Sequence, residues 1–551
     1  MSDRLAIALA QINPTVGDVA GNLRRVRQAR AEAAAAGADL VVCPELVLAG
    51  YPPEDLVLNP AFQDRVRAAA EALAAETADG GPALLVGAPW RVDGRLYNAA
   101  LLLDAGRVAA VRRKHDLPNH GVFDEKRVFA AGAVPGPIMF RGVRLGVMVC
   151  EDMWTPDVAE TLQESGAEIL IVPNGSPYES DKADERLGLA VARVRETGLP
   201  LVYVNQVGGQ DELVFDGASF ALDADCTLRA QLPAFAEQVA TGVWTRGADG
   251  WSCAAAPLAA PAEGMAATYG ALVLGLRDYV DKNGFPGVVL GLSGGIDSAL
   301  AAAVAVDALG PERVRAVMMP SPFTSQDSLD DAADCARRLG IPLRTIAIAP
   351  AMRAFADMLA DAFGDREADA SEENIQARAR GVTLMALSNK FGDMVLSTGN
   401  KSEMSVGYAT LYGDLCGGYA VLKDVYKTTV YALARWRNAV APAGGRGPAG
   451  PVVPDRVLTK APTAELRPNQ TDQDALPPYA VLDAILKGLV EEERAVDDLV
   501  ARGHDRETVQ RVRRMLDRAE YKRRQAPPGA KITRRAFGRE RRYPITNGFC
   551  G

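Results

Sequence analysis

Short apolar runs and longer amphipathic stretches alternate along the first two hundred residues. The runs fall at Leu5–Ala10, Asp39–Cys43, Ala83–Gly87, Val143–Cys150, Glu168–Val172 and Pro200–Asn205. Each has strand length and is apolar on successive positions, the pattern of strands buried on both faces of a sheet. Between some of them lie Asn22–Ala36 and Phe62–Ala75, Ala- and Arg-rich segments with helical spacing. Together they predict an α/β domain. The pattern weakens over Asp223–Ala267, a stretch rich in Ala, Pro and Gly. It is read as a linker from about 224 leading to a domain boundary at about 265.

The alternation then restarts. A helix is expected over Tyr269–Lys282, a strand over Gly287–Leu292 and a helix over Ser298–Leu309. A strand at Arg313–Met319, a helix at Ser325–Leu339 and a strand at Leu343–Ile348 follow. Repeated strand–helix–strand units predict a parallel, doubly wound sheet in residues 266–551.

Composition narrows the function. A chain of 551 residues accommodates two to four domains at roughly 150 residues each. Lys plus Arg number 61 against 70 Asp plus Glu, a net charge of −9, so there is no general electrostatic case for nucleic acid or a membrane surface. No apolar run approaches the roughly 18 residues of a membrane span. The opening Met1-Ser-Asp-Arg-Leu-Ala reads as the lead into a first strand and not as a signal peptide. Seven scattered cysteines without a Cys-x-x-Cys pair point to a reducing, cytoplasmic setting and to no zinc site. Only three histidines are present, which argues against chemistry built on a histidine-centred triad.

The segment Gly291-Leu292-Ser293-Gly294-Gly295-Ile296-Asp297-Ser298 leaves an expected strand and opens an expected helix. Backbone N–H groups converge on an anion at such a place, and glycines let the chain approach it closely. Asp297 offers a hard carboxylate for Mg²⁺. The chain contains no Gly-Lys dipeptide, which excludes a Walker P-loop. Further on, Ser397-Thr398-Gly-Asn-Lys-Ser-Glu403 follows another apolar strand, and Glu403 can pair with Asp297 around a cation. The loop resembles that of the N-type ATP pyrophosphatases. With Asn374-Ile-Gln-Ala-Arg, Ala464-Glu-Leu and Glu520-Tyr-Lys522-Arg-Arg, residues from about 266 onward are similar to NAD synthetases. The resemblance implies a Rossmann-like PP-loop domain in which ATP adenylates nicotinic acid adenine dinucleotide (deamido-NAD) and ammonia displaces AMP. It implies that Gly291–Ser298 and Thr398 hold ATP, that Asp297 and Glu403 hold Mg²⁺, and that Asn374, Glu403 and Lys522 contact deamido-NAD. The basic tail, with Lys522 and Arg541-Arg542, would then meet a polyanion or a solvated or subunit-facing surface.

The first 265 residues invite a nitrogen-supply reading. An N-terminal cysteine nucleophile is missing, because Ser2 follows Met1. A Cys-His-Glu triad presents His-x-Glu, but His115, His120 and His504 are followed two positions on by Leu117, Val122 and Arg506. A Glu-Lys-Cys set remains. Glu45, Lys114 and Cys150 each close an apolar strand, where an open α/β sheet presents catalytic groups. In their contexts, Pro44-Glu45-Leu, Arg113-Lys114 and Cys150-Glu-Asp, they resemble the nitrilase/amidase superfamily over about residues 4–222. That resemblance implies an α-β-β-α sandwich with Glu45 as base, Cys150 as nucleophile, and Lys114 lowering the thiol pKa and stabilising the oxyanion. Glu125 would position the lysine, and His120, Ser176 and Lys182 would hold glutamine. His120 stands where relatives often carry Tyr.

Both halves together resemble glutamine-dependent NAD synthetases. The resemblance implies small-molecule substrates, ammonia passing internally between sites, and a homo-oligomer formed through the synthetase half. Three alternatives stay open on the sequence: an amidotransferase with another carboxylate acceptor, an RNA-modifying pyrophosphatase, and a silent scaffold.

Overall fold

The computed structural model describes residues 3–180, 182–248, 250–256 and 258–548. Met1 and Ser2, on which part of the N-terminal reading rests, lie outside the described residues. The chain divides into two compact units, Met1–Ala262 and Glu263–Gly551.

The first unit is a four-layer α-β-β-α sandwich. One sheet has seven strands and the other six. Arg4–Gln11 runs parallel to Leu40–Val42, which runs parallel to Ala83–Val92. Val143–Val147, Ile169–Asn174 and Leu201–Asn205 form the parallel centre of the second sheet. The inner faces meet in a core that includes Leu5, Ile7 and Leu9 from one sheet and Leu145, Ile171 and Val202 from the other. Helices Val19–Ala35 and Pro60–Glu76 cover the first sheet, placing Val26, Ala33, Val66 and Leu73 against it. Helices Pro156–Glu164 and Lys182–Thr197 cover the second.

The stretch read as a linker from about 224 is different. It carries three strands, Leu228–Gln231, Gln238–Gly247 and Gly250–Cys253. Gln238–Gly247 pairs antiparallel with the whole of Arg4–Gln11 through residues 238–245. Its residues, Gln-Val-Ala-Thr-Gly-Val-Trp-Thr-Arg-Gly, are mostly half-exposed, so it lacks the apolar run that marks the buried strands. Its partner strand, distant in sequence, is what makes it a strand.

The second unit is built on five parallel strands in the order Leu343–Thr345, Val314–Met318, Val288–Gly291, Met394–Ser397, Tyr419–Ala420. The order reverses direction at Val288–Gly291, the switch point where doubly wound sheets open a crevice. Helix Ile296–Leu309 leaves that strand, and Asp297 is its one residue that is not buried. The short strand Leu343–Thr345 ends before the expected Ile348, where helix Ala349–Phe363 begins. Among the described residues no helix is long and apolar enough to cross a membrane.

Candidate functional site

Glu45, Lys114, Glu125 and Cys150 come together in the first unit. Glu45 and Lys114 are fully buried, and Glu125 and Cys150 nearly so. Lys114 Nζ donates to Glu45 Oε1 at 2.7 Å and to Glu125 Oε1 at 2.9 Å. Glu45 Oε2 accepts the Gly175 N–H at 3.0 Å, and a Cβ on Gly175 would press into Tyr51 at 2.8 Å. The Tyr51 hydroxyl donates to Glu125 Oε1 at 2.8 Å. Cys150 sits just past Val143–Val147 with φ +49°, a left-handed backbone that is uncommon outside glycine and clusters at functional sites.

Asp152, in the Cys150-Glu-Asp motif, explains how two strand ends are held together. Its carboxylate accepts N–H groups from His115 and Asp116, just past Lys114, and from Val149, just before Cys150. Burial raises its pKa to about 6 against those bonds.

The electrostatics differ in one respect from expectation. Burial pushes the Cys150 thiol well above its ordinary value and Glu45 adds to this, while Lys114 opposes them without prevailing. The resting thiol is therefore protonated, and Lys114 limits the rise without producing a net lowering. Burial works against the charge on Lys114, but Glu125 and Glu45 outweigh it and hold the ammonium protonated. Glu125 is raised by burial and by Glu45, with Lys114 opposing.

Of the residues expected to hold glutamine, His120 and Ser176 lie on neighbouring loops and Lys182 begins helix Lys182–Thr197. His120 Nε2 is 3.0 Å from Glu151 Oε1, and its ring meets Phe123 edge-on. Lys182 Nζ stands over the rings of Phe123 and Trp154, 5.5 and 5.6 Å from their centres. Ser176 is fixed by its N–H to Asn205 Oδ1, while its buried Oγ has no hydrogen-bond partner among the described residues.

In the second unit a cavity of about 300 Å³ opens at the switch point. Gly291, Leu292, Ser293, Gly295, Ile296, Asp297 and Ser298 line it, as do Thr398 and Glu403. Ser293 and Ser298 brace one another, with Oγ atoms 3.0 Å apart. Gly295 caps helix Ile296–Leu309 without a side chain, so the first N–H groups remain available to an anion. Gly294 does not line the cavity. It has φ +80°, and a Cβ there would lie 2.3 Å from Ser328 O.

Helix Lys401–Val406 begins with a capping box in which Asn400 Oδ1 accepts the Glu403 N–H. That box aims Glu403 at Asp297, and Asn400 Nδ2 donates to Asp297 Oδ1 at 2.9 Å. Lys427 Nζ contacts Asp297 Oδ2 and lies 3.2 Å from Glu403 Oε1. Burial raises Glu403 to about 7, with Lys427 lowering it and Asp297 raising it. The carboxylates thus converge on one cationic point, a hard-oxygen pair that fits a divalent cation.

Asn374 and Lys522 do not line the cavity. Asn374 Oδ1 accepts from Thr410 Oγ1, and Lys522 Nζ donates to the carbonyls of Gly407 and Ala409. Both support the 407–414 segment, whose Tyr408, Ala409, Gly413 and Asp414 form part of the wall. In the basic tail Arg541 is buried against Glu520 at 3.2 Å, so it is not offered to solvent.

Sequence reasoning missed Tyr51, Asn98 and Lys427. Lys427 had a faint signal, lying just past an apolar stretch in Val421-Leu-Lys-Asp-Val-Tyr-Lys427. Asn98 had less, a single polar position before Ala99-Ala-Leu-Leu-Leu.

A carbon-nitrogen hydrolase family model matches residues 6–246 and an NAD synthase model matches residues 268–526. A glutamine-dependent NAD(+) synthetase of Rhodobacter capsulatus is 54% identical over 99% of both chains. The chain belongs to the glutamine-dependent NAD(+) synthetase family. A second member, from Xanthomonas campestris pv. campestris, is 48% identical over 99% of this chain and 98% of its own. The solved glutamine-dependent NAD+ synthetase of Acinetobacter baumannii, a complex with adenosine diphosphate, is 44% identical with a TM-score of 0.79 over 99% of each chain. The nitrilase-like and doubly wound folds expected from the sequence are thus those of the family.

Proposed function

We propose that this chain is a ligase that forms NAD(+) from deamido-NAD, ATP and glutamine. The observation that supports this is the gathering, in a member of this family, of the buried Glu45–Lys114–Glu125–Cys150 set in one unit and of the Asp297–Glu403 pair at a cavity in the other. In the first, Glu45 takes the thiol proton as Cys150 attacks the amide carbon of glutamine. Glu45 hands that proton to the leaving nitrogen, ammonia departs, and the regenerated carboxylate then activates the water that frees glutamate from the thioester. Lys114 balances the charge of the thiolate and oxyanion, and Glu125 positions it. His120, Ser176 and Lys182 hold the substrate's polar ends.

In the second, the Gly291–Ser298 loop and Thr398 hold ATP. Asp297 and Glu403 would hold Mg²⁺, which supplies charge screening between the triphosphate and the substrate carboxylate. Glu403 also faces deamido-NAD, while Asn374 and Lys522 act on it through the 407–414 wall. The deamido-NAD carboxylate attacks the α-phosphorus of ATP, pyrophosphate departs, and ammonia then displaces AMP. Lys427 answers the charge on Asp297 and Glu403 and fixes the position of both carboxylates. We place the protein in the cytoplasm, where the unpaired cysteines among the described residues stay reduced. We also propose a homo-oligomer through the second unit: helix Ala349–Phe363 buries none of its residues, and Met358, Val382 and Phe391 are exposed.

The test is NAD formation from deamido-NAD, Mg-ATP and amide-¹⁵N-glutamine, with AMP and pyrophosphate followed alongside. Labelled NAD with matching AMP is expected. Glutamate release without NAD would reopen the acceptor, and no reaction would overturn the proposal.

A further inference from the structure

We propose that Asn98 is a positioning residue of the glutamine-hydrolysing site, a neutral double donor that holds both carboxylates around Lys114. The inference rests on the roles given above to Glu45, Lys114 and Cys150. Asn98 lies in strand Arg95–Asp104 and is fully buried. Its Nδ2 donates to Glu45 Oε1 at 2.7 Å and to Glu125 Oε2 at 3.3 Å. Lys114 Nζ bridges the same two side chains. The Asn98 carbonyl also accepts the Lys114 N–H at 2.8 Å. One residue thus sets the height of the lysine's backbone and the orientation of its partners.

The chemistry favours an amide here. Lys114 brings one positive charge to two carboxylates, and a thiolate must be added during the reaction. A second cation in place of Asn98 would compete with Lys114 for the carboxylates. An apolar residue would leave them short of donors in a buried site. A neutral amide supplies two N–H groups and changes no charge. Its bond fills Glu45 Oε1, which already accepts from Lys114, whereas Oε2 carries the Gly175 N–H alone. Capacity for the thiol proton is therefore left on Oε2. Rotating the amide by half a turn would aim its oxygen at two carboxylates, so its orientation is set by charge. Asn98 Oδ1 is itself buried and has no hydrogen-bond partner among the described residues. An unmet buried acceptor destabilises a fold, and a residue retained for packing alone would be apolar. The useful atoms of Asn98 are its two N–H groups.

The experiment uses the full chain with Asn98→Leu and the isosteric Asn98→Asp. Glutamate release is measured against pH, and NAD formation from ammonium is measured in parallel. Asn98→Leu should lower kcat for glutamine hydrolysis about 10- to 100-fold, the loss expected for a hydrogen bond to a charged group, with KM little changed. The acid limb of its profile should move to higher pH, because Glu125, whose ionised form holds Lys114, loses a donor that favours that form. Asn98→Asp should move it further, since it adds a third carboxylate. NAD formation from ammonium should be unaffected in both. An unmoved acid limb in Asn98→Asp, with ammonium-dependent turnover intact, overturns the proposal even if Asn98→Leu fails to fold. So does a loss confined to KM. Absence of glutamate release by the unaltered chain would instead remove the reading of the whole site.

Discussion

Replacing Lys114 by Met tests how one buried ammonium serves two carboxylates. The side chain is fully buried and contacts Glu45 and Glu125 within 3 Å. Two effects follow, and they separate by assay. For stability, breaking a buried ion pair from one side costs about 3–5 kcal/mol, because the remaining charge has no partner. Glu125, already raised by burial and by Glu45, relieves part of this by binding a proton. A carboxyl raised in the folded state binds more protons there than when unfolded. The variant should therefore lose stability as pH rises from the ordinary carboxylate range towards neutrality, and regain it on acidification. For catalysis, removing one group that answers the oxyanion costs about 10²–10³-fold in kcat. Loss of the charge that opposes the rise in the Cys150 thiol adds to that. Glutamate release should fall at least about 100-fold, while NAD formation from ammonium persists. Chemical denaturation at pH 5 and pH 8 reads the first effect and coupled glutamate detection the second. Hydrolysis within tenfold of the unaltered chain would refute the role given to Lys114.

Three further outcomes are expected. The burial that raises the Cys150 thiol means its alkylation by iodoacetamide should still be accelerating at pH 9; a plateau below pH 8 would contradict the protonated resting thiol. Lys427→Met leaves Asp297 and Glu403 without their shared cation and should reduce NAD formation at least about 100-fold with either nitrogen donor, leaving glutamate release near its original rate; retained synthesis from ammonium would count against it. Gly294→Ala places a Cβ 2.3 Å from Ser328 O at φ +80°, which should cost about 2 kcal/mol or more and raise the KM for ATP, read by pyrophosphate release at varied ATP.

The sequence by itself determined the buried strands, because strands covered on both faces must be apolar throughout and therefore stand out as runs. It also determined the Gly291–Ser298 loop, whose glycines and small hydroxyls are legible wherever a strand is followed by a helix. Glu45, Lys114 and Cys150 were readable from their places at expected strand ends together with the family contexts Pro44-Glu45-Leu, Arg113-Lys114 and Cys150-Glu-Asp. Tertiary structure decided what depends on distant partners. Gln238–Gly247 is a strand because Arg4–Gln11 offers it a paired edge, and its own residues carry no such pattern. Asn98 and Tyr51 reach the site because folding turns them towards Glu125, 27 and 74 residues away. Lys427 meets Asp297 across 130 residues. The sign of the Cys150 shift was also beyond local reading: the sequence names the lysine, but only the packed fold shows that burial outweighs it. Local chemistry is written in neighbouring residues, while charge balance in a buried site is a property of everything folded around it.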